Sequence, residues 1–163
     1  MIPTIYIASD HNGTAARNYI IQFLSDKSAR VGDITQKFPI VDIGPNEYEG
    51  KVDYPDMAEK LCMLMKDGLL KGEMSCGILI CGTGSGMEIA ANRFPWIRAA
   101  IATDRATAEL MRQHNDANVL VLGQWRTPLG QMDEIVKAFL ETNFQGGRHI
   151  PRLEKLLRLS GDR

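Results

Sequence analysis

The sequence predicts an α/β fold in three layers, a five-stranded parallel sheet covered by helices on both faces. Three observations carry this expectation. Short apolar runs alternate with segments whose apolar residues recur at helical spacing, from Thr4 to Leu157. The run Ile78 to Cys81 is apolar without interruption, as a strand buried on both faces requires. That run passes straight into a glycine loop and a helix start, at the strand end where open parallel sheets bind their ligands. The expected architecture is Rossmann-like, with the common strand order 2-1-3-4-5.

Each element has its own signal. Thr4 to Ser9 is strand 1, and Asp10, His11, Asn12 and Gly13 form the turn after it. Ala16, Tyr19, Ile20, Phe23 and Leu24 then fall at helical spacing. Residues 27–37 read as a polar loop, Phe38 to Ile43 as strand 2, and 45–51 as a second polar loop. Asp53 precedes Tyr54-Pro55, a helix start with Asp near the cap and Pro in the first turn. Met57, Ala58, Leu61, Cys62, Met65 and Leu69 form the apolar stripe of that helix, with Cys62 and the methionines read as core. Strand 3 and its glycine loop follow. Arg98 to Thr103 is strand 4, and Asp104 caps a helix that turns Ala108 and Met111 inward. Asn118 to Leu122 is strand 5. Thr127-Pro128 starts a helix bearing Met132, Ile135, Val136, Phe139 and Leu140. Gly146-Gly147 breaks the chain, and Pro151 opens a last helix, about 150–159, with Leu153, Leu156 and Leu157. The final four residues are expected to fray.

The 163 residues suit one domain spanning the whole chain. Hydrophobic residues make up 44% and charged residues 24%, the balance of an ordinary globular chain. A net charge of −1 gives no basic excess to argue for nucleic acid, and no basic amphipathic helix argues for a membrane surface. No apolar run approaches the ~18 residues of a membrane span and no signal peptide is evident, so a cytoplasmic protein is expected. Cys62, Cys76 and Cys81 are an odd count in neither a disulfide nor a zinc pattern, and read as reduced thiols. His11, His114 and His149 have no metal-ligand spacing, so no metal is expected.

The loop after strand 3 is the main candidate for chemistry. Gly82, Gly84 and Gly86 alternate with Thr83 and Ser85, and Met87 opens a helix. Glycines admit positive φ and leave no Cβ between backbone and ligand. Amides at such a loop and helix start converge on an anion, and that environment stabilises a cysteine thiolate. A P-loop is excluded because Met87-Glu88 stands where Lys and Ser/Thr are needed. The G-x-G-x-G spacing falls one residue short of the dinucleotide fingerprint. A cysteine phosphatase loop would need Arg where Met87 lies. Two readings of the loop then stand: a tight turn beside a buried Cys81, or an anion site with a reactive thiol. In the expected strand order the switch point lies between strands 1 and 3, whose exits are Asp10-His11 and Cys81 to Gly86, which favours the second. Arg112 to Asp116, with His114 and Asn115, read equally as a plain helix C-terminus or as a polar site. Arg148 and Arg152, four apart, are either solvated cations or a phosphate clamp.

Six motifs in order resemble one family. They are Ser-Asp-His-x-Gly after strand 1, Asp-Tyr-Pro at 53–55, Cys-Gly-Thr-Gly-x-Gly at 81–86, Ile-Ala-Ala-Asn at 89–92, His-Asn-Asp-Ala-Asn-Val at 114–119 and Gly-Gly-Arg-His-x-x-Arg at 146–152. Together they resemble the type B ribose-5-phosphate isomerases, within the wider family that includes galactose-6-phosphate isomerase subunits. The resemblance implies a reversible aldose–ketose isomerisation through a cis-enediolate, without metal or cofactor. It implies Cys81 as the base, Gly82 to Gly86 with Thr83 as the anion hole, and His114 as the ring-opening residue with Asp10 near the ring. It places His11, Arg148 and Arg152 around the phosphate, and Tyr54 and Asn115 on the substrate. It also implies a homodimer, or a dimer of dimers, in which His114, Asn115 and both arginines, with the last helix, reach the neighbouring subunit's site. The chain departs from the family pattern at Trp125, where members often carry Arg; here Arg126 follows. Loops 27–37 and 45–51 are also long, and Glu88 lies close enough to the loop to rival Cys81 as base. Two alternatives accompany this reading: an isomerase for a tetrose or hexose phosphate, and a non-catalytic regulator that binds sugar phosphates.

Overall fold

The computed structural model describes residues 2–26, 38–46 and 50–159. The loop expected at 27–37, part of that at 45–51 and the fraying expected of the last four residues lie outside the described residues. The elements run β1 (Thr4–Ser9), α1 (Thr14–Ser25), β2 (Ile40–Gly44), α2 (Tyr54–Leu70), β3 (Ser75–Cys81), α3 (Ser85–Ala91), β4 (Ala99–Ile101), α4 (Arg105–Asn115), β5 (Val119–Gly123), α5 (Leu129–Glu141) and α6 (Ile150–Leu159). A 3₁₀ turn at Gly147–His149 leads into α6. No helix among the described residues is long and apolar enough to cross a membrane.

The five strands form one parallel sheet, but its order is 2-1-3-5-4 rather than the expected 2-1-3-4-5. Burial explains the exchange. All five residues of β5, Val-Leu-Val-Leu-Gly, are buried, which calls for a neighbour on each side. β4 is only three residues long and two of them are half-buried, so it tolerates an edge.

Side chains alternate between the two faces of the sheet. Ile5, Ile7, Ile78, Ile80, Leu120 and Leu122 pack with α1, α4 and α5. Tyr6, Ala8, Leu79, Cys81, Val119 and Val121 pack with Met57, Leu61 and Met65 of α2 and Met87 of α3. The chain therefore leaves β1 and β5 toward one face and leaves β3 toward the other. The expected switch between β1 and β3 is present, and the revised order adds a second one between β3 and β5. The glycine loop rises between two neighbours that both turn away from it.

Element ends carry most of the remaining differences. Asp104 caps α4 as expected, its Oδ1 accepting the Thr107 N–H at 2.7 Å. Asp53 stands at the N-cap of α2 without a side-chain capping bond. Cys62, Met57 and Met65 are core, but Leu69 faces outward, and α6 buries none of its side chains. The outer rim of β4 is closed by α3. Asn92 accepts from Ala99 N–H at 2.9 Å and donates to Ala99 C=O at 2.8 Å, while Glu88 Oε1 accepts from Ile101 N–H at 3.0 Å.

Candidate active site

Cys81 is the last residue of β3, 5% exposed, and its Sγ accepts the Gly84 N–H at 3.1 Å. Gly84 precedes α3 with φ +85°, a conformation that glycine takes without strain. The other loop glycines are needed for space. A Cβ on Gly86 would lie 2.9 Å from the Tyr54 ring, and one on Gly82 would lie 2.9 Å from the Trp125 ring. From the facing strand exit, a Cβ on Gly123 would meet Thr83 O at 2.5 Å. Backbone bonds lock the two exits together: Gln124 N–H donates to Cys81 O and Trp125 N–H to Gly82 O, both at 2.9 Å. Thr83 and Ser85 are exposed at the mouth of the loop.

The β1 exit lies against the same place. Asp10 N–H donates to Ile80 O at 3.1 Å, and a Cβ on Gly13 would sit 2.6 Å from that oxygen. The Asp10 carboxylate is buried, and its Oδ1 accepts from Asn12 N–H at 2.9 Å and Gly13 N–H at 3.0 Å. His11 Nδ1 lies 3.1 Å from Val52 O, which brings the imidazole beside the start of α2 and Tyr54. Asp10, His11, Tyr54 and Cys81 to Gly86 are thus gathered at the carboxyl edge of the sheet. Behind them, Arg17 is buried, with Nη1 3.3 Å from Ser9 Oγ and Nε 3.3 Å from Asp42 Oδ1.

The remaining residues form a second cluster. His114 and Asn115 end α4, where Asp116 takes the left-handed conformation at φ 45° and receives Arg98 and Arg112. The His114 ring stacks on His149, with centroids 4.4 Å apart and planes 10° from parallel. Arg148 Nε donates to His149 Nε2 at 3.4 Å, and Arg152 Nη1 lies 3.4 Å from His149 Nδ1. His149 is the residue that sequence reasoning passed over: it stood inside a quoted motif without a role, yet it joins His114 to both arginines. Among the described residues, no group of three or more His, Cys, Asp or Glu is placed to hold a metal ion.

Burial, then His114 and the two arginines, hold the His149 imidazole below its ordinary value of 6.5. The unfolded chain therefore takes up this proton more readily than the folded one. Stability from His149 is complete above that ordinary value and is lost as the pH falls through the folded one. The unfolding midpoint is expected to fall as the pH drops below that ordinary value, and His149→Gln to flatten that slope in a thermal melt.

Topology separates the clusters. α4 begins at the carboxyl edge, after β4, and runs back to deliver β5, so its end stands at the amino edge. Eleven helical residues span ~16 Å. Within one chain, His114 and the arginines are at the opposite end of the sheet from Cys81.

A sequence profile described as Ribose/Galactose Isomerase matches residues 5–156. A curated protein of Mycoplasma genitalium, "Probable ribose-5-phosphate isomerase B", is 40% identical over 155 residues, 94% of this chain and 93% of that protein. The crystal structure of ribose-5-phosphate isomerase B from the same organism, with bound ribulose-5-phosphate, is 37% identical and superposes with a TM-score of 0.85 over 100% of this chain and 99% of that one. The type B ribose 5-phosphate isomerase of Trypanosoma brucei is 39% identical, with a TM-score of 0.84 over 98% and 99% of the two chains. With the profile covering nearly its whole length, and with the glycine loop at the exit of β3, the chain belongs to the ribose/galactose isomerase family of enzymes.

Proposed function

We propose that this protein interconverts ribose 5-phosphate and ribulose 5-phosphate, a step of the pentose phosphate pathway, in the cytoplasm and without metal or cofactor. The observation that carries the reading is the Cys81 sulfur at the base of the glycine loop, receiving the Gly84 N–H. Such a bond is stronger to a thiolate than to a thiol. The thiolate takes the proton from C2 of the open-chain aldose and returns it to C1, through a cis-enediolate. General-base catalysis of this kind contributes ~10²–10⁴ in rate. The enediolate oxygen is held by amides of Gly82 to Gly86, with the Thr83 hydroxyl and Ser85 at the mouth. Fixed donors of this sort are each worth ~10²–10³. Tyr54 lies along the substrate, and His11 faces the phosphate. Asp10, its Oδ1 occupied by two amides, turns its other oxygen to the sugar ring.

The second cluster supplies what the first lacks. His114 opens the ring, Asn115 contacts the sugar, and Arg148 and Arg152 hold the phosphate. Their place at the amino edge puts them out of reach of their own Cys81, so they serve the site of a neighbouring subunit in a homodimer or a dimer of dimers. α6 suits this role, since Ile150, Leu157 and Leu159 are exposed. A cavity of about 610 Å³ lies between α6 and Ile97, Ala99 and Ala100, room for a partner's side chains. Phosphate binding energy then positions the reacting carbons.

The test is a panel of four-, five- and six-carbon aldose phosphates assayed for ketose formation. Ribose 5-phosphate is expected to be the best substrate, with the rate unchanged after treatment with a chelator. Turnover of a tetrose or hexose phosphate alone would reassign the substrate, and binding without turnover would make the protein a regulator.

A further inference from the structure

Trp125 follows β5 and packs against the glycine loop that follows β3. Three atoms of its six-membered ring would each lie 2.9 Å from a Cβ on Gly82, so the ring stands face-on over that α-carbon. The Trp125 N–H donates to Gly82 O, so backbone and ring are both fixed to the residue next to Cys81. Even so, Trp125 is 68% exposed. One face of the indole rests on the loop and the other is open beside its mouth. At the far end one edge of the Tyr54 ring lies against Gly86, and Tyr54 is 41% exposed. Two aromatic walls thus bracket the loop. An aromatic ring gives a large rigid surface at small entropic cost, because only two χ angles are fixed. A side chain this exposed contributes little to the core, which leaves its open face available to a ligand at the loop.

The family description spans ribose and galactose, sugars of five and six carbons. Something near the reacting carbons has to sense that extra carbon, and discrimination of one carbon unit by a pocket wall is worth ~10–200-fold. We propose that Trp125 is a specificity-determining residue, a wall that limits the length of sugar phosphate able to reach Cys81 and favours five carbons. The inference rests on the isomerase reading above. Gly82 is part of the device, since any Cβ there would push the indole away.

The experiment compares kcat/KM for ribose 5-phosphate and galactose 6-phosphate in wild type, Trp125→Phe and Trp125→Ala. The ratio is expected to shift toward the six-carbon sugar by about tenfold or more in Trp125→Ala, with Trp125→Phe between. A general loosening of the fold would lower both substrates together, and a ratio constant within about twofold would overturn the proposal. Tryptophan fluorescence gives a readout independent of turnover. Ribose 5-phosphate should change it saturably in wild type and not in Trp125→Phe. An identical change in both would show that the sugar does not meet Trp125. If wild type turns over neither sugar, the isomerase reading fails, and the fluorescence comparison with the same two sugars still decides whether Trp125 lines the site.

Discussion

Cys81→Ala is expected to lower kcat by ~10² or more while ribose 5-phosphate and its analogues remain bound. The sulfur is held at the base of the loop by a backbone N–H, and alanine removes it without touching the glycine backbone proposed to receive the substrate oxygen. Binding is measured by calorimetry and turnover by ketose formation. A variant that keeps more than about a tenth of wild-type kcat would take Cys81 out of the proton transfer. Glu88→Gln is the matched control. Glu88 Oε1 accepts the Ile101 N–H, and a glutamine carbonyl can accept the same bond. Its activity should stay near wild type. A loss as deep as that of Cys81→Ala would make the carboxylate the base instead.

The second large effect is a recovery. On the proposed roles Cys81→Ala lacks the base and His114→Ala cannot open the ring, so each variant alone should be impaired. Mixed and re-associated, the two chains form heterodimers. If each site takes Cys81 from one subunit and His114 from the other, one site in the heterodimer carries both defects and the other carries neither. A C₂ dimer has two equivalent sites, so each heterodimer should regain about half the wild-type rate. Native mass spectrometry establishes that heterodimers have formed. Activity that then stays at the level of the parents would place each site within one chain. The separation of His114 from Cys81 by the length of α4 motivates the expectation of recovery.

Much of this was legible in the residues, and the failures have physical causes. β1 was readable to the residue because its apolar run ends in Asp-His-Asn-Gly, which cannot continue a strand. The commonest order for such sheets puts β4 inside and β5 at the edge, and burial reverses the two. The apolar run at 119–122 already asked for the interior, and the alanine-rich run at 99–101 could accept an edge. The buried Arg17 was invisible, because its partner Asp42 comes from a strand 25 residues away and a sequence shows no such pairing. Asn92 was noticed only as part of a motif; its bonds to Ala99 depend on a turn that no periodicity reveals. From sequence alone the loop glycines suggest anion ligands and positions permissive for φ. Only Gly84 needs positive φ, while Gly82 and Gly86 are small because aromatic rings stand on them. His149 lacked a reading because a stack on His114 joins residues 35 positions apart.

The Asn92 amide makes the same pair of bonds to Ala99 that the backbone of an added strand would make. With Glu88 on Ile101, it occupies the valences through which a sheet grows by recruiting another chain. Three outward backbone groups of the β4 rim are therefore already bonded, which disfavours templating of further strands and fibre growth through it. Association on that side must use side-chain surfaces, which can close on themselves by symmetry and stop at a finite number of subunits. One glutamate on a seven-residue helix and the asparagine that ends it thereby favour finite assembly over runaway polymerisation.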